Sequence, residues 1–362
     1  MPVGSPSNGV GLFAGQLMLT SSFIYQDIDW YHDPTADEPG WEHRGKFFST
    51  LFTPELSLGV TDDLNLSFSQ TFGLRWMDFD PVWVSGGDAP EYISSHHRNE
   101  DSMSDFSNAK GGLAGDMNFK AKYLLSYTAG GVGPRSFFSA GITIPSNSYI
   151  TSDPYFQKTI DVDYGNSDGK VTPDETERFN EQHDEKAHKH FAISEGVYRF
   201  IFEPSYFYKR RFNPVFLGLS ISYSIPVSEK KHGSSTYKAS QILDVHLTSL
   251  FVSSQIDFIK NIVPASIDFS FGLSISHQGS TSWNGYRSPI PETTVLFPSF
   301  GLVVGSKKLG AFNVIFRTSY FLDGIFVATS EFGDKDFKQG TNELDVILNY
   351  RLPVDYYVKF LE

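Results

Sequence analysis

Between Val215 and Val227 the sequence VFLGLSISYSIPV places Val215, Leu217, Leu219, Ile221, Tyr223, Ile225 and Val227 on one parity, and Gly218, Ser220, Ser222 and Ser224 on the other. A period of two belongs to an extended strand with one oily and one wet face. Only Phe216 and Pro226 break the pattern. Its thirteen positions exceed the roughly 5–6 residues usual for a soluble strand and suit the roughly 9–11 that a tilted strand needs to cross a bilayer.

The alternation recurs. Residues 64–76 set Leu64, Leu66, Phe68, Phe72, Leu74 and Trp76 against Asn65, Ser67, Ser69, Thr71 and Arg75, and residues 117–128 set Met117, Phe119, Tyr123 and Leu125 against Asn118, Lys120, Lys122 and Ser126. Read in this way, the chain predicts strands at 11–29, 48–60, 64–76, 117–128, 136–145, 197–210, 214–227, 241–258, 263–276, 293–305, 311–322 and 342–357. Connections alternate between short, as at Thr61, Asp62 and Asp63, and long, as at 146–195. The pattern predicts an all-β fold, a transmembrane antiparallel up-and-down β-barrel of about twelve strands with short periplasmic turns and long extracellular loops. On this reading residues 1–362 form one domain in the bacterial outer membrane, with both termini periplasmic. The competing soluble sandwich or propeller calls for shorter strands and no alternation of loop lengths.

Composition fits this picture. The chain holds 33 Phe and 18 Tyr, and aromatic residues gather at predicted strand ends, among them Tyr25, Trp30, Trp76, Tyr206, Tyr208 and Tyr320, as in the girdles of membrane barrels. A mean hydropathy of −0.24 is no objection, because alternating strands dilute their oily face with lumen residues. The net charge of −13 argues against nucleic acid as a partner. Basic residues (Arg210, Arg211, Lys260, Lys307, Lys308) sit in the short turns, and the long loops hold most of the acids. The lack of Cys removes disulfide and thiol chemistry and suits export. Met1 leads directly into PVGSPSNG, so a mature-length chain is expected, and Leu361 and Glu362 read as an appended pair after a natural terminal Phe360, which resembles the outer-membrane assembly signal.

If the oily parity meets lipid, the other parity lines a lumen that holds Arg75, Lys120, Lys122, Glu203, Asp244, His246, Asp268, Arg317, Glu343, Asp345 and Arg351 among Ser, Thr, Asn and Gly. Charges of both signs are tolerable there when paired or hydrated. About twelve strands enclose more room than eight and less than a sixteen-stranded porin, which predicts a narrow channel or a ligand-holding barrel. Its rival is a plugged barrel whose charges neutralise one another.

GLAGDMNFKAKYLLSY (112–127), a Gly-rich turn, and SFFSAGITIPSN (136–147) resemble the hairpin of the outer-membrane transporters of the phenol-degradation meta pathway, in which Gly-Asp opens one strand and Leu-Pro-Thr-Gly closes the next. That group is in turn similar to fatty-acid and toluene channels. Gly115, Asp116 and Pro145 match, while Ile144, Ser146 and Asn147 stand where Leu, Thr and Gly are usual. The resemblance covers about a tenth of the chain and implies passive uptake of small, often hydrophobic or aromatic molecules.

The longest loop carries DVDYGNSDGKVTPDETERF (161–179). Asp168, Gly169, Lys170, Val171 and Glu175 occupy places five, six, seven, eight and twelve of an EF-hand calcium loop: the Gly makes the sharp turn, the Lys170 carbonyl is a ligand, and Glu175 binds with both oxygens. The first half departs by one residue, so the expected site is a variant loop that uses Asp163, Asn166, Asp168, Lys170 and Glu175, with Asp161 in reserve, and holds Ca2+ structurally. The competing reading is an acidic surface loop without an ion. A short capped helix is expected over 172–190, where His183, His188 and His190 beside Asp184 and Glu185 could hold Zn2+ or Cu2+ or be solvated.

The expected function is therefore an outer-membrane channel or transporter for passive uptake of small molecules, with lipid and a small-molecule substrate as its partners and no catalytic residues. The alternative is a calcium-stabilised, non-conducting surface or scaffold barrel whose acidic loops bind a protein partner. A remoter one is an outer-membrane phospholipase, whose active strand is faintly similar to His277, Gly279, Ser280 and the Ser282, Trp283, Asn284 run. Gly279 stands where the nucleophile belongs, two residues after the His on the same face.

Overall fold

Twelve long strands follow from the alternating segments: β1 (Gln16–His32), β2 (His43–Gly59), β3 (Leu64–Phe79), β4 (Ala114–Tyr127), β5 (Gly133–Ile144), β6 (Arg199–Lys209), β7 (Val215–Pro226), β8 (Ile242–Val252), β9 (Ser266–Gln278), β10 (Thr293–Ser306), β11 (Gly310–Thr318, resuming as Tyr320–Asp323) and β12 (Gln339–Tyr357). The structure is a computed structural model that describes residues 11–32, 43–79, 82–83, 92–93, 113–128, 132–147, 149, 193–210, 215–227, 229–232, 235–252, 266–283, 286–287, 292–306, 310–324 and 339–358. Each strand pairs antiparallel with its chain neighbours, and β1 pairs with β12 from Gln16↔Tyr357 to His32↔Gln339. The sheet is thus a closed barrel of twelve strands, each hydrogen-bonded to a neighbour on both sides. The short pieces Lys230–His232, Ser235–Lys238, Ser282–Trp283 and Tyr286–Arg287 form a small sheet from the long loops.

The two faces are sorted as the sequence parity expects. On β7, Leu217 and Leu219 are exposed while Gly218 and Ser220 are buried. Around the wall, Leu19, Phe52, Phe68, Phe119, Phe202, Leu247, Phe271 and Phe316 stand exposed on the outside, and neighbouring rings meet there, Phe68 with Phe119 at 4.8 Å and Phe271 with Phe300 at 5.3 Å. Inside, polar groups dominate. Among the described residues twenty buried side chains are polar or charged and twelve are hydrophobic, the reverse of a water-soluble core. An oily outer belt around a polar interior is the design of a barrel dissolved in lipid. Gly218, Thr248 and Gly272 lie in one register row, and there the outer wall is indented by a groove of about 460 Å³ bordered by Leu217, Leu247 and Phe271.

Several boundaries differ from the sequence reading. β1 begins at Gln16 rather than at residue 11, because Gly15 takes a left-handed φ of 76° and turns the preceding residues out of the sheet. β3 continues to Phe79 along its partner, with Gly45↔Phe79 the last pair, where residue 76 was expected to end it. β9 includes His277 and Gln278, read in sequence as the start of a loop, since both pair with β10. β11 is interrupted at Ser319, with a register shift opposite Thr294 and Val295. The predicted end of β8 near residue 258 and the turn at 259–262 lie outside the described residues. The β2–β3 turn is as tight as expected: Val60 N donates to Leu64 O at 2.8 Å, and Thr61 Oγ1 accepts from Leu64 N at 3.0 Å.

Candidate functional site

Met18, Phe137, Phe207, Leu250 and Val303 point inward, each within five residues of the short-turn end of its strand, and all are buried. Phe137 and Phe207 meet edge to face at 6.2 Å. They make an apolar floor at the short-turn end of a largely polar face. On β8 periodicity does not announce it, because Leu250 is a single apolar residue closing the polar series of Asp244, His246 and Thr248. The signal emerges only when the strands are aligned by their short-turn ends.

Above the floor lies a belt of charge. Lys120 on β4 reaches across β5 to Glu203 on β6, Nζ to Oε2 at 3.4 Å. Its register partner on β5 is Gly141, where a Cβ would stand 2.6 Å from Lys120 Cγ. Glycine at that position is what lets the lysine cross. Lys122, two residues on, holds its Nζ 5.4 Å from the Phe137 ring centroid. Glu55 on β2, buried and accepting from Ser57 Oγ at 3.2 Å, attracts both lysines, and Arg351 on β12 repels Lys122. Asp244 and His246 occupy the inner register of β8, and His246 Nδ1 lies 2.8 Å from Ser274 Oγ on β9. Asp268 and Arg75 are also on the inner registers of their strands, β9 and β3.

A second charged level lies nearer the long loops. Arg317 of β11 donates through Nε to Asp345 Oδ2 of β12 at 2.6 Å, and its guanidinium stacks 4.6 Å from the Phe297 ring centroid. Asp345 is fully buried. Gln26 Nε2 donates to Glu343 Oε1 at 3.0 Å, which ties β1 to β12 at the same level. Four of the residues expected in the lumen thus form two ion pairs, Lys120 with Glu203 and Arg317 with Asp345.

At the long-loop end the Gly-Asp pair of the hairpin has a structural task. Asp116 accepts from the Ser146 N–H at 3.1 Å and from the Ser194 hydroxyl, so one carboxylate holds both ends of the longest loop. Gly115 lies under Ile193, whose Cγ2 would be 2.7 Å from an added Cβ. Beside them Arg199 pairs with Glu195 and donates through Nη1 to Ser240 O at 2.8 Å, while Tyr237 donates to Glu195 Oε1 at 3.0 Å. Replacing Asp116 by Ala removes its hydrogen bonds to Ser146 and Ser194, a loss of about 1–3 kcal/mol. The expected result is faster limited proteolysis within 146–195, with the heat-modifiable gel shift of the barrel retained.

No family model and no curated protein matches the sequence. Among solved structures, an outer membrane channel of Pseudomonas putida F1 is similar over 96% of this chain and 100% of its own, with a TM-score of 0.53 at 11% identity. The fold is that of an outer-membrane β-barrel. A FadL homologue of Pseudomonas aeruginosa aligns over 93% of this chain and 90% of its own at 8% identity, with a TM-score of 0.40. The translocator domain of the autotransporter NalP from Neisseria meningitidis aligns over 96% and 90% at 10% identity, with a TM-score of 0.37.

The barrel's loop motifs lie largely beyond what is described. The expected calcium ligands Asp161, Asp163, Asn166, Asp168, Lys170 and Glu175, and His183, His188 and His190, fall outside the described residues. His277 lies on β9 with its Nδ1 3.0 Å from Thr294 Oγ1 of β10.

Proposed function

We propose that the barrel is an outer-membrane channel through which small molecules pass passively, with the long loops outside and both termini in the periplasm. The observation that carries this reading is the lumen itself, a wall of Ser, Thr and Asn with paired charges running the length of a closed barrel whose outside is apolar. Such a surface suits a hydrated path and not a packed core. The resemblance of 112–147 to the meta-pathway hairpin supports hydrophobic or aromatic substrates, with the charged belts of Lys120, Glu203, Arg317 and Asp345 orienting their polar ends. Catalysis has no part in the reading.

The calcium expectation completes it as a brace for the longest loop, using Asp163, Asn166, Asp168, the Lys170 carbonyl and Glu175. Calorimetry on the folded protein should show one saturable Ca2+ site that is lost in Glu175→Ala; absence of saturable binding would remove the brace.

The second reading, a non-conducting scaffold barrel that presents acidic loops to a protein partner, is favoured by one observation. The lumen-facing Asn313, Ile315 and Asn349 are 0–1% exposed, so this part of the interior is filled. Liposome swelling separates the two. A channel admits small uncharged solutes at rates that fall with solute size, whereas a scaffold gives the rate of empty liposomes.

A further inference from the structure

Residues 11–15 (GLFAG) lead straight into the alternating run of β1, yet they lie outside the sheet. Gly15 sits at the rim between two strand ends, its N–H donating to Gly59 O at 2.8 Å and its carbonyl accepting from Val358 N at 2.9 Å. From there the chain runs back toward the lumen. Ala14 N donates to Asp62 Oδ1 in the β2–β3 turn at 3.0 Å. Leu12 is 5% exposed, and Gly11 lies against Phe137, where an added Cβ would be 3.6 Å from the ring. β1 and β5 are four strands apart in the wall. A segment that starts on one and touches the inner face of the other crosses the interior at the level of the apolar floor.

One side chain holds it there. Asn65, on the inner register of β3 and buried, accepts from the Leu12 N–H at 3.2 Å and donates through Nδ2 to the Leu12 carbonyl at 3.1 Å. An amide is the side chain that can meet both main-chain groups of one residue at once, as a neighbouring strand would. Both bonds join neutral groups, so each contributes little net stability and the contact is reversible.

We propose that residues 11–15 form a strap that closes the short-turn end of the lumen, latched by Asn65 and sealed by Leu12 within the ring of Met18, Phe137, Phe207, Leu250 and Val303. The proposal rests on the channel reading. Water leaves an apolar constriction of this kind, and ions stop with it. With the strap released, Asn65 and the belt of Lys120 and Glu203 face an open path.

The chain has no Cys, so Leu12→Cys supplies a single reporter. In refolded protein in vesicles, verified by the heat-modifiable gel shift, its labelling by a membrane-impermeant maleimide should be slow, and should quicken about tenfold when Asn65→Ala removes the two hydrogen bonds. In planar bilayers Asn65→Ala, and a chain lacking residues 1–13 with every strand intact, should conduct about twofold or more above the unmodified chain. Labelling unchanged by Asn65→Ala would overturn the latch. Equal conducting steps in the unmodified and shortened chains would overturn the strap and leave the channel standing, and silence in both would overturn the channel as well.

Discussion

Leu247→Arg should destabilise the folded barrel by about 2–4 kcal/mol in phospholipid vesicles. Leu247 is 49% exposed in the middle of β8, with its side chain on the outside of the wall. On a water-soluble protein such a residue could become Arg within about 0.5 kcal/mol of neutrality, because an exposed leucine loses little and the arginine stays hydrated. On a lipid-facing wall the guanidinium must be carried into hydrocarbon, and the cost depends on depth. Leu322→Arg, at the long-loop end of β11, should therefore cost only about 0–1 kcal/mol, although Leu322 is as exposed as Leu247. Equilibrium folding in urea, followed by tryptophan fluorescence, measures both. Near-neutral values for both variants would mean that the apolar belt meets water.

Arg317→Leu should be the costliest of the lumen changes, at about 3–5 kcal/mol. Asp345 is wholly buried, and the arginine lies 2.6 Å from its Oδ2. Without that cation the carboxylate remains in place with Glu343 beside it, two acids at one level of the wall. Replacing both partners should recover most of the loss, because the charge that needed compensation has gone. The same urea titration on Arg317→Leu, Asp345→Asn and the double variant gives the coupling energy, and strict additivity would show that the lumen is wet enough to solvate each charge alone.

What the sequence made legible was the wall. Parity in β3, β4 and β7 separates lipid from lumen residues because the side-chain period of a strand is fixed by covalent geometry and each face meets one solvent. Parity does not say which charges meet. Lys120 finds Glu203 two strands away only because Gly141 carries no side chain between them, a coincidence of register that alternation does not encode. The strap was misread as strand for a related reason. Leu12 adjoins the alternating run of β1 with no charged residue or proline to mark a boundary, and what removes it from the sheet is the left-handed Gly15 together with Asn65, 53 residues later in the chain. The hairpin motif was visible as a resemblance, but its physical content, a carboxylate that holds both ends of the longest loop, appears only once Ser146 and Ser194 are brought to Asp116.

Every functional reading depends on which face of the wall meets lipid. Single nitroxide labels placed on Cys substitutions along β7, in vesicles, measure this directly by collision with oxygen, which dissolves in lipid. Oxygen accessibility should peak at Leu217, Leu219, Ile221 and Tyr223 and fall at Gly218, Ser220, Ser222 and Ser224. Equal accessibility at the two parities, or peaks on the serine face, would contradict a lipid-facing barrel wall.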